Sequence, residues 1–345
     1  MAQVLNASNT SAVFIGTQAT IGTPLAVGFC DFVPVVGTPK FTPRGPGIIR
    51  RADVMTPFGG ELAAKTGGIG WDISLTTELY WDFGNAFNVN NYPTSAQALW
   101  RACPFNVGIG SSANDTVFVS QALYTLAVAR VASTGGYYTA PFTIFYQETG
   151  GKQYSAYDCV CIPKFSWEAG GKVSIEWSIK GKWVPVADSG DTAISYAYTE
   201  SPLVGTACTM SGAQFGASTS ALAKVAYDPG FALSDVLDAR ETYGMGIAMI
   251  ALASSPSLEV ETADLTETLQ SDWGDAEDNT VFGSALTVGI AVGNNAVNFV
   301  LTSPQLIQWP TPGESNGYRN IGLKFAGIVD ANSENQTGYI VFDSN

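Results

Sequence analysis

Between residues 170 and 183, in GGKVSIEWSIKGKW, apolar Val173, Ile175, Trp177 and Ile179 alternate with polar Lys172, Ser174, Glu176, Ser178 and Lys180. A period of two marks a strand with one buried face. At roughly 3.3 Å per residue the stretch reaches about 40 Å, beyond the usual strand of about 5–6 residues, so a long wall is expected. YRNIGLKFAGIV, at 318–329, repeats the alternation near the C-terminus. Gly, Thr, Ser and Asn punctuate short alternating runs elsewhere, and helical periodicity is confined to two places. The expected fold class is therefore mainly β, of the sandwich or barrel kind.

Both helical places carry a capping-box pattern. In PTSAQALWRAC, Thr94 is an N-cap with Gln97 three residues on, and Leu99 and Cys103 share one face. In DLTETLQSDW, Asp264 and Glu267 stand in the same relation, followed by Leu265, Leu269 and Trp273 at helical spacing. The two helices belong to a longer correspondence. The strand WDISLT (71–76) leads to the first helix, a hairpin around QETGGK (147–152), the Pro163 strand and the long strand. LEVET (258–262) leads to the second helix, a hairpin around VGNNA (292–296), the Pro304 strand and the C-terminal repeat. Superposing Gly181 on Gly327 places Ile175, Trp177 and Ile179 on Ile321, Leu323 and Phe325. Two tandem β-sandwich modules follow, 1–190 and 191–345, each with a short flanking helix. A long approach, 38–70, rich in Gly and Pro, precedes the first module's strand, and 231–256 holds the equivalent place in the second; segments of this length usually make contacts.

The length of 345 residues suits two such modules. The chain is 46% hydrophobic, yet no apolar run approaches the ~18–20 residues of a membrane span, so no membrane insertion is expected. MAQVLNASNTSAVF lacks the basic start and apolar core of a secretory signal, which points to a cytoplasm. Five cysteines give no disulfide framework, and Cys159 and Cys161, one residue apart, are expected on one side of a strand as small buried hydrophobes. Histidine is absent, which removes the commonest general base and zinc ligand together. Glu176 and Asp158 would be a carboxylate pair for a glycosidase only at a spacing that nothing in the sequence supplies. KTGGIG (65–70) lacks the strand-to-helix setting of a phosphate loop. No catalytic residue, metal ligand or cofactor is expected. The formal charge of −14 argues against tight nucleic-acid binding.

Several segments carry a likeness to a known family. They are GTQATIGTPLAVG (16–28), ALWRACPF (98–105), the block from Pro141 to Asp188 with its F-x-W-E-A-G-G-K turn and its Lys-Gly-Lys-Trp ending, and YAYTESPLVG (196–205). LDARETYGMGIAMIALASSPSLEVET (237–262) adds a fainter match. The sequence resembles the major tail tube proteins of long, non-contractile-tailed bacteriophages. That resemblance implies a β-sandwich with a flanking helix, whose long strands join those of neighbouring subunits into an inner barrel. The rings it implies stack into a hollow virion tail tube, assembled in the host cytoplasm and conducting double-stranded DNA during ejection. Its implied partners are further copies, a tape-measure protein, a tail terminator and distal tail proteins. Two fused modules imply threefold rings with pseudo-sixfold symmetry, with a hexamer as the alternative.

If the apolar rows pack the sandwich, Asp72, Ser74, Thr76, Glu78, Glu176, Glu259 and Glu261 face the lumen, and Asn320 and Lys324 match the Glu176 row. An acidic wall would repel DNA at close range, within a screening length of about 8 Å. Lys40, Arg44, Arg50 and Arg51 make the first long loop basic, whereas Asp264, Glu267, Asp272, Asp275, Glu277 and Asp278 form an acidic run. Complementary patches of this kind would fix the register of stacked rings. A carbohydrate-binding or adhesin-like sandwich is the competing reading, with Trp71, Trp81, Trp100 and Trp183 as stacking platforms.

Overall fold

The computed structural model describes residues 11–45, 48–49, 65–66, 69–80, 97–103, 106–109, 116–120, 141–148, 151–188, 202–212, 217–218, 222–241, 244–252, 254–262, 275, 277–292, 295–315, 318–328 and 337–343. The chain is mainly β, and its strand pairings are antiparallel, with one α-helix among the described residues. Strands β1 (Ala12–Thr17), β2 (Asp31–Val33), β3 (Lys40–Arg44), β4 (Ile48–Ile49), β5 (Lys65–Thr66) and β6 (Gly70–Glu78) precede helix α1 (Gln97–Ala102). Then come β7 (Asn106–Ile109), β8 (Thr116–Ser120), β9 (Phe142–Glu148), β10 (Lys152–Glu168), β11 (Ser174–Trp183) and β12 (Ala187–Asp188). The C-terminal half holds β13 (Cys208–Ser211), β14 (Ala217–Ser218), β15 (Leu222–Asp228), β16 (Phe231–Ser234), β17 (Met249–Leu252) and β18 (Ser257–Thr262). It ends with β19 (Leu286–Val292), β20 (Asn295–Leu301), β21 (Pro304–Leu306), β22 (Thr311–Ser315), β23 (Tyr318–Gly327) and β24 (Gly338–Asp343).

Of the strand expected at 170–183, Ser174–Trp183 forms β11, while Gly170 and Gly171 belong to the turn before it; within β11 the alternation does what the pattern requires. Ile175, Trp177 and Ile179 are buried, while Glu176 on the other face is exposed. One ladder runs β3-β6-β11-β10-β15-β18-β23-β22, so strands from both halves of the chain share a single sheet. The apolar rows of this sheet pack with a second layer into one contiguous core holding Trp100, Trp177, Phe165, Tyr227, Phe299 and Phe325. Phe299 links the layers, with ring centroids 5.3 Å from Phe165, 5.4 Å from Tyr227 and 5.1 Å from Trp167.

The second layer is β2-β1-β9 with the start of β10 in one half, and β14-β13-β19-β20-β24 in the other. β10 belongs to both layers: its first residues pair with β9, and its last pair with β11 and β15. The register shifts on both sides between Ala156 and Val160, where Asp158 takes φ 49°. A bulge of this kind turns a strand from one sheet into the next. In the other half Ser303, at φ 44°, separates β20 in the second layer from β21 in the large sheet. At both corners a glycine admits close approach: a Cβ on Gly181 would lie 2.5 Å from the Cys159 sulfur, and one on Gly327 would lie 1.9 Å from the Thr337 carbonyl oxygen.

The helix expected from PTSAQALWRAC is α1, with Leu99 and Cys103 buried; Thr94 lies outside the described residues. The expected helix and cap at Asp264, Leu265, Glu267, Leu269 and Trp273 also lie outside them. β7 and β8 precede residue 190 yet join the second half's sheet through β24, a crossing that the expected boundary does not anticipate.

Candidate assembly surface

The non-core face of the large sheet gathers the polar residues that alternation singled out. On β6 and β11, Asp72 stands opposite Lys180, Ser74 opposite Ser178, Thr76 opposite Glu176 and Glu78 opposite Ser174. On β18, Glu259 stands between Ala226 and Lys324, and Glu261 between Lys224 and Gly322. The seven residues expected on one surface therefore share one face. Sequence reasoning set Lys180 and Lys324 on the matching polar rows but gave the wall its sign from the carboxylates, and the register adds the other bases. Among the described ladder positions, Lys40, Arg44, Lys164, Lys180, Lys182, Lys224 and Lys324 stand on the same face as Asp72, Glu78, Glu168, Glu176, Asp228, Glu259 and Glu261. Carboxylates and bases are thus interleaved at these ladder positions, rather than the carboxylates standing in an unbroken row.

Part of the face is covered. β16 and β17 pair as a two-stranded ribbon whose Phe231 and Ile250 bury against the same core. Beneath it, Val160 and Ile162 of β10 occupy positions on the polar face, which accounts for two apolar residues where alternation calls for polar ones. The segment following β16 brings acids to the bases. Asp235 pairs with Arg44 and, at 2.8 Å, with Lys180; Glu241 reaches Lys182 at 2.6 Å. Lys182 is 5% exposed and also meets Asp158, which is fully buried, at 2.9 Å. Asp158 further accepts from Gln18 Nε2 at 2.9 Å and from the Gly22 backbone N–H at 2.8 Å, and its own N–H donates to Gln18 Oε1 at 2.7 Å. Burial works against the Lys182 charge, but the hydrogen bonds to Glu241 and Asp158 outweigh it and hold its pKa above the ordinary lysine value.

This network corrects the loop reading. Arg44 is buried and engaged inside its own chain with Asp72 and Asp235, so it is not available to an adjacent ring. Lys40 is exposed on the outer edge of β3, and Arg50 and Arg51 lie outside the described residues. Of the acidic run, Asp275 is half-buried, Glu277 and Asp278 are exposed, and Asp264, Glu267 and Asp272 lie outside the described residues. Asp158 is a buried structural anion, whereas Glu176 is solvent-exposed beside Lys164 on the ladder. Of the proposed glycan platforms, Trp71 and Trp100 are in the core and half-buried Trp183 stacks on Trp71 at 4.3 Å; Trp81 lies outside the described residues. Cys159 and Cys161 are fully buried, and burial pushes both thiols well above their ordinary value.

The two ends of the large sheet are the remaining feature. In its middle, β10 meets β15 with Phe165 opposite Tyr227, Ser166 opposite Ala226, Trp167 opposite Val225 and Glu168 opposite Lys224. Lys164 and Asp228 extend that junction with an ion pair at 2.7 Å. At the ends, β3 pairs only with β6 and β22 only with β23 among the described residues. Exposed apolar side chains flank both ends: Val36 (51%) precedes β3, and Ile307 (49%) and Trp309 (52%) precede β22. A repeat signal bearing on β3 was present in the sequence and is not part of the alternation: Phe41-Thr42-Pro43 recurs as Tyr227-Asp228-Pro229. A comparison with protein-family models finds no match to this chain, and a comparison with curated proteins finds no relative.

Proposed function

We propose that this chain is the structural subunit of a hollow tube, of the kind that forms the tail of long, non-contractile-tailed bacteriophages. One observation carries the reading: a single ladder runs through both halves of the chain and stops at two strands whose outer edges have no partner among the described residues. An open edge is a template for another chain, and a closed ring of copies satisfies it without runaway growth. The two halves, read as tandem modules, repeat one pairing order. β1, β2, β3, β6, β9, β11 and β12 correspond to β13, β14, β15, β18, β19, β23 and β24, while the continuous β10 corresponds to the separate β20, β21 and β22. The junction of β10 with β15 then serves within the chain as a junction between copies would serve in a ring.

In that assembly the uncovered polar face lines the bore. Its charges are interleaved: Glu259 opposes Lys324, and Lys224 lies between Glu168 and Glu261. Opposed side chains about 4.5–5.5 Å apart neutralise one another locally. A passing duplex thus meets no run of bases able to release its counterions, which is the requirement for transit without adhesion. The tape-measure, terminator and distal tail partners, the virion location and the threefold rings enter this proposal from the sequence resemblance. Negative-stain electron microscopy with native mass spectrometry of the purified chain tests it. Rings or tubes are expected; monomers at every concentration and salt, stabilised instead by glycans, would refute it.

A further inference from the structure

Resting on the edge-to-edge reading above, we infer that the β3 edge of one copy pairs with the β22 edge of the next in a defined register: Phe41 opposite Pro312 and Lys40 opposite Gly313, continued through the two residues before β3 by Pro39 opposite Glu314 and Thr38 opposite Ser315. The register comes from matching the two halves position by position. Phe41 stands opposite Ile73, which stands opposite Ile179; Tyr227 stands opposite Leu258, which stands opposite Phe325. Ile179 and Phe325 are the residues superposed by aligning Gly181 with Gly327, so Phe41 and Tyr227 are equivalent.

On the other flank, Phe165 stands opposite Ile175 and Pro312 opposite Ile321. Those isoleucines face Thr77 and Thr262, both 2% exposed, which fixes the match independently of the aromatic residues. Phe165 and Pro312 are therefore equivalent. Since Phe165 faces Tyr227 within the chain, Phe41 faces Pro312 between chains, and the neighbouring pairs follow in antiparallel order. The position of the Lys164–Asp228 ion pair becomes Thr311 facing Thr42, a cross-strand pair of hydroxyls.

The backbone of the internal junction also sets the hydrogen-bonding phase. Ala169 N–H donates to the Ala223 carbonyl at 2.9 Å, directly across the ladder, so odd-numbered residues of β10 and β15 point at one another. Transferred to the edges, Pro39, Phe41 and Pro43 of one copy and Pro312 and Glu314 of the other point outward. Proline in a sheet belongs where its missing N–H costs no ladder bond, and this phase turns all three prolines away from the β6 and β23 ladders within the chain, toward the outer edge. Two bonds remain for the new junction, Phe41 N–H to the Pro312 carbonyl and Glu314 N–H to the Pro39 carbonyl. The pairs 38/315 and 40/313 are then the closely spaced kind, with Cα atoms about 4.5 Å apart, within the range a disulfide spans.

The test mixes two single variants, Thr38→Cys and Ser315→Cys, each with Cys30→Ser and Cys208→Ser to remove the half-buried thiols, and oxidises the assembled mixture. Disulfide-linked dimers are expected from the mixture and not from either variant alone. Thr42→Cys mixed with Ser315→Cys, four positions out of register, is expected to give none. As a measurement on the unmodified chain, hydrogen exchange of peptides spanning 38–42 and 311–315 is expected to slow on assembly. Rings that form with cross-links only out of register, or with no protection at these two segments, would overturn the register and leave the tube reading standing. Absence of any assembly of the unmodified chain would overturn both.

Discussion

Replacing Lys182 by methionine tests the buried network most directly. Methionine preserves the length and apolar stem of the side chain and removes the ammonium that touches Asp158 at 2.9 Å and Glu241 at 2.6 Å. Glu241 is partly exposed and can turn to water, whereas Asp158 is fully buried and keeps only its donors from Gln18 and Gly22. Removing one member of a buried pair costs about 3–5 kcal/mol, because the other charge is stranded. With two of three donors retained, the expected loss lies near the lower end, about 3 kcal/mol. Asp158→Asn in the same background removes the stranded charge while keeping an acceptor for Gln18 and Gly22, and is expected to recover most of it. Urea unfolding of the wild type and the single and double variants measures both quantities. A loss below about 1 kcal/mol for Lys182→Met, or no recovery in the double variant, would show that the network does not hold the 235–241 segment to the sheet. The pH dependence has a definite sign. Because the folded Lys182 pKa is raised, its contribution is fully present below the unfolded value of about 10.4 and is lost as pH rises through the folded value. The wild type is therefore expected to lose stability above about pH 10 by an increment that Lys182→Met lacks.

Gly327→Ala is expected to destabilise by about 1–3 kcal/mol in thermal or urea unfolding, since its Cβ would meet backbone at Thr337 and no side chain can swing aside. Thiol titration of the native protein at pH 8 is expected to leave Cys159 and Cys161 unreactive. Cys30 is expected to react slowly, its pKa being pushed up to about 12 by burial and then by Asp31. Pro312→Val adds an N–H where the inferred junction lacks one; at about 1 kcal/mol per bond, the concentration for assembly is expected to fall about fivefold, read by light scattering.

Alternation alone located β6, β11, β18 and β23 and their buried rows, because a period of two fixes which side chains share a face. It could not pair the bases with their acids. Lys324 opposite Glu259 is a matter of register between strands far apart in the chain, and Asp235 lies 191 residues from Arg44. The same limit explains why the carboxylates on β6, β11 and β18 are read without most of the bases that stand between them. Asp158 was legible only as a carboxylate, since a left-handed bulge within a 17-residue strand leaves no periodic trace. Val160 and Ile162 broke the polar row because the β16–β17 ribbon covers them, a contact that only the folded chain reveals.

The sharing of sheets between halves has a consequence for synthesis. Residues 1–190 leave the ribosome with the end of β10 still waiting for β15 and β8 still waiting for β24, which translation delivers about 2–8 s and about 8–30 s later at ~5–20 residues per second. During that interval the nascent chain offers sticky ladders to any sibling on the same polysome. Swapped dimers, in which one polypeptide's C-terminal strands complete another's N-terminal half, are the characteristic misfolded product this architecture has to escape.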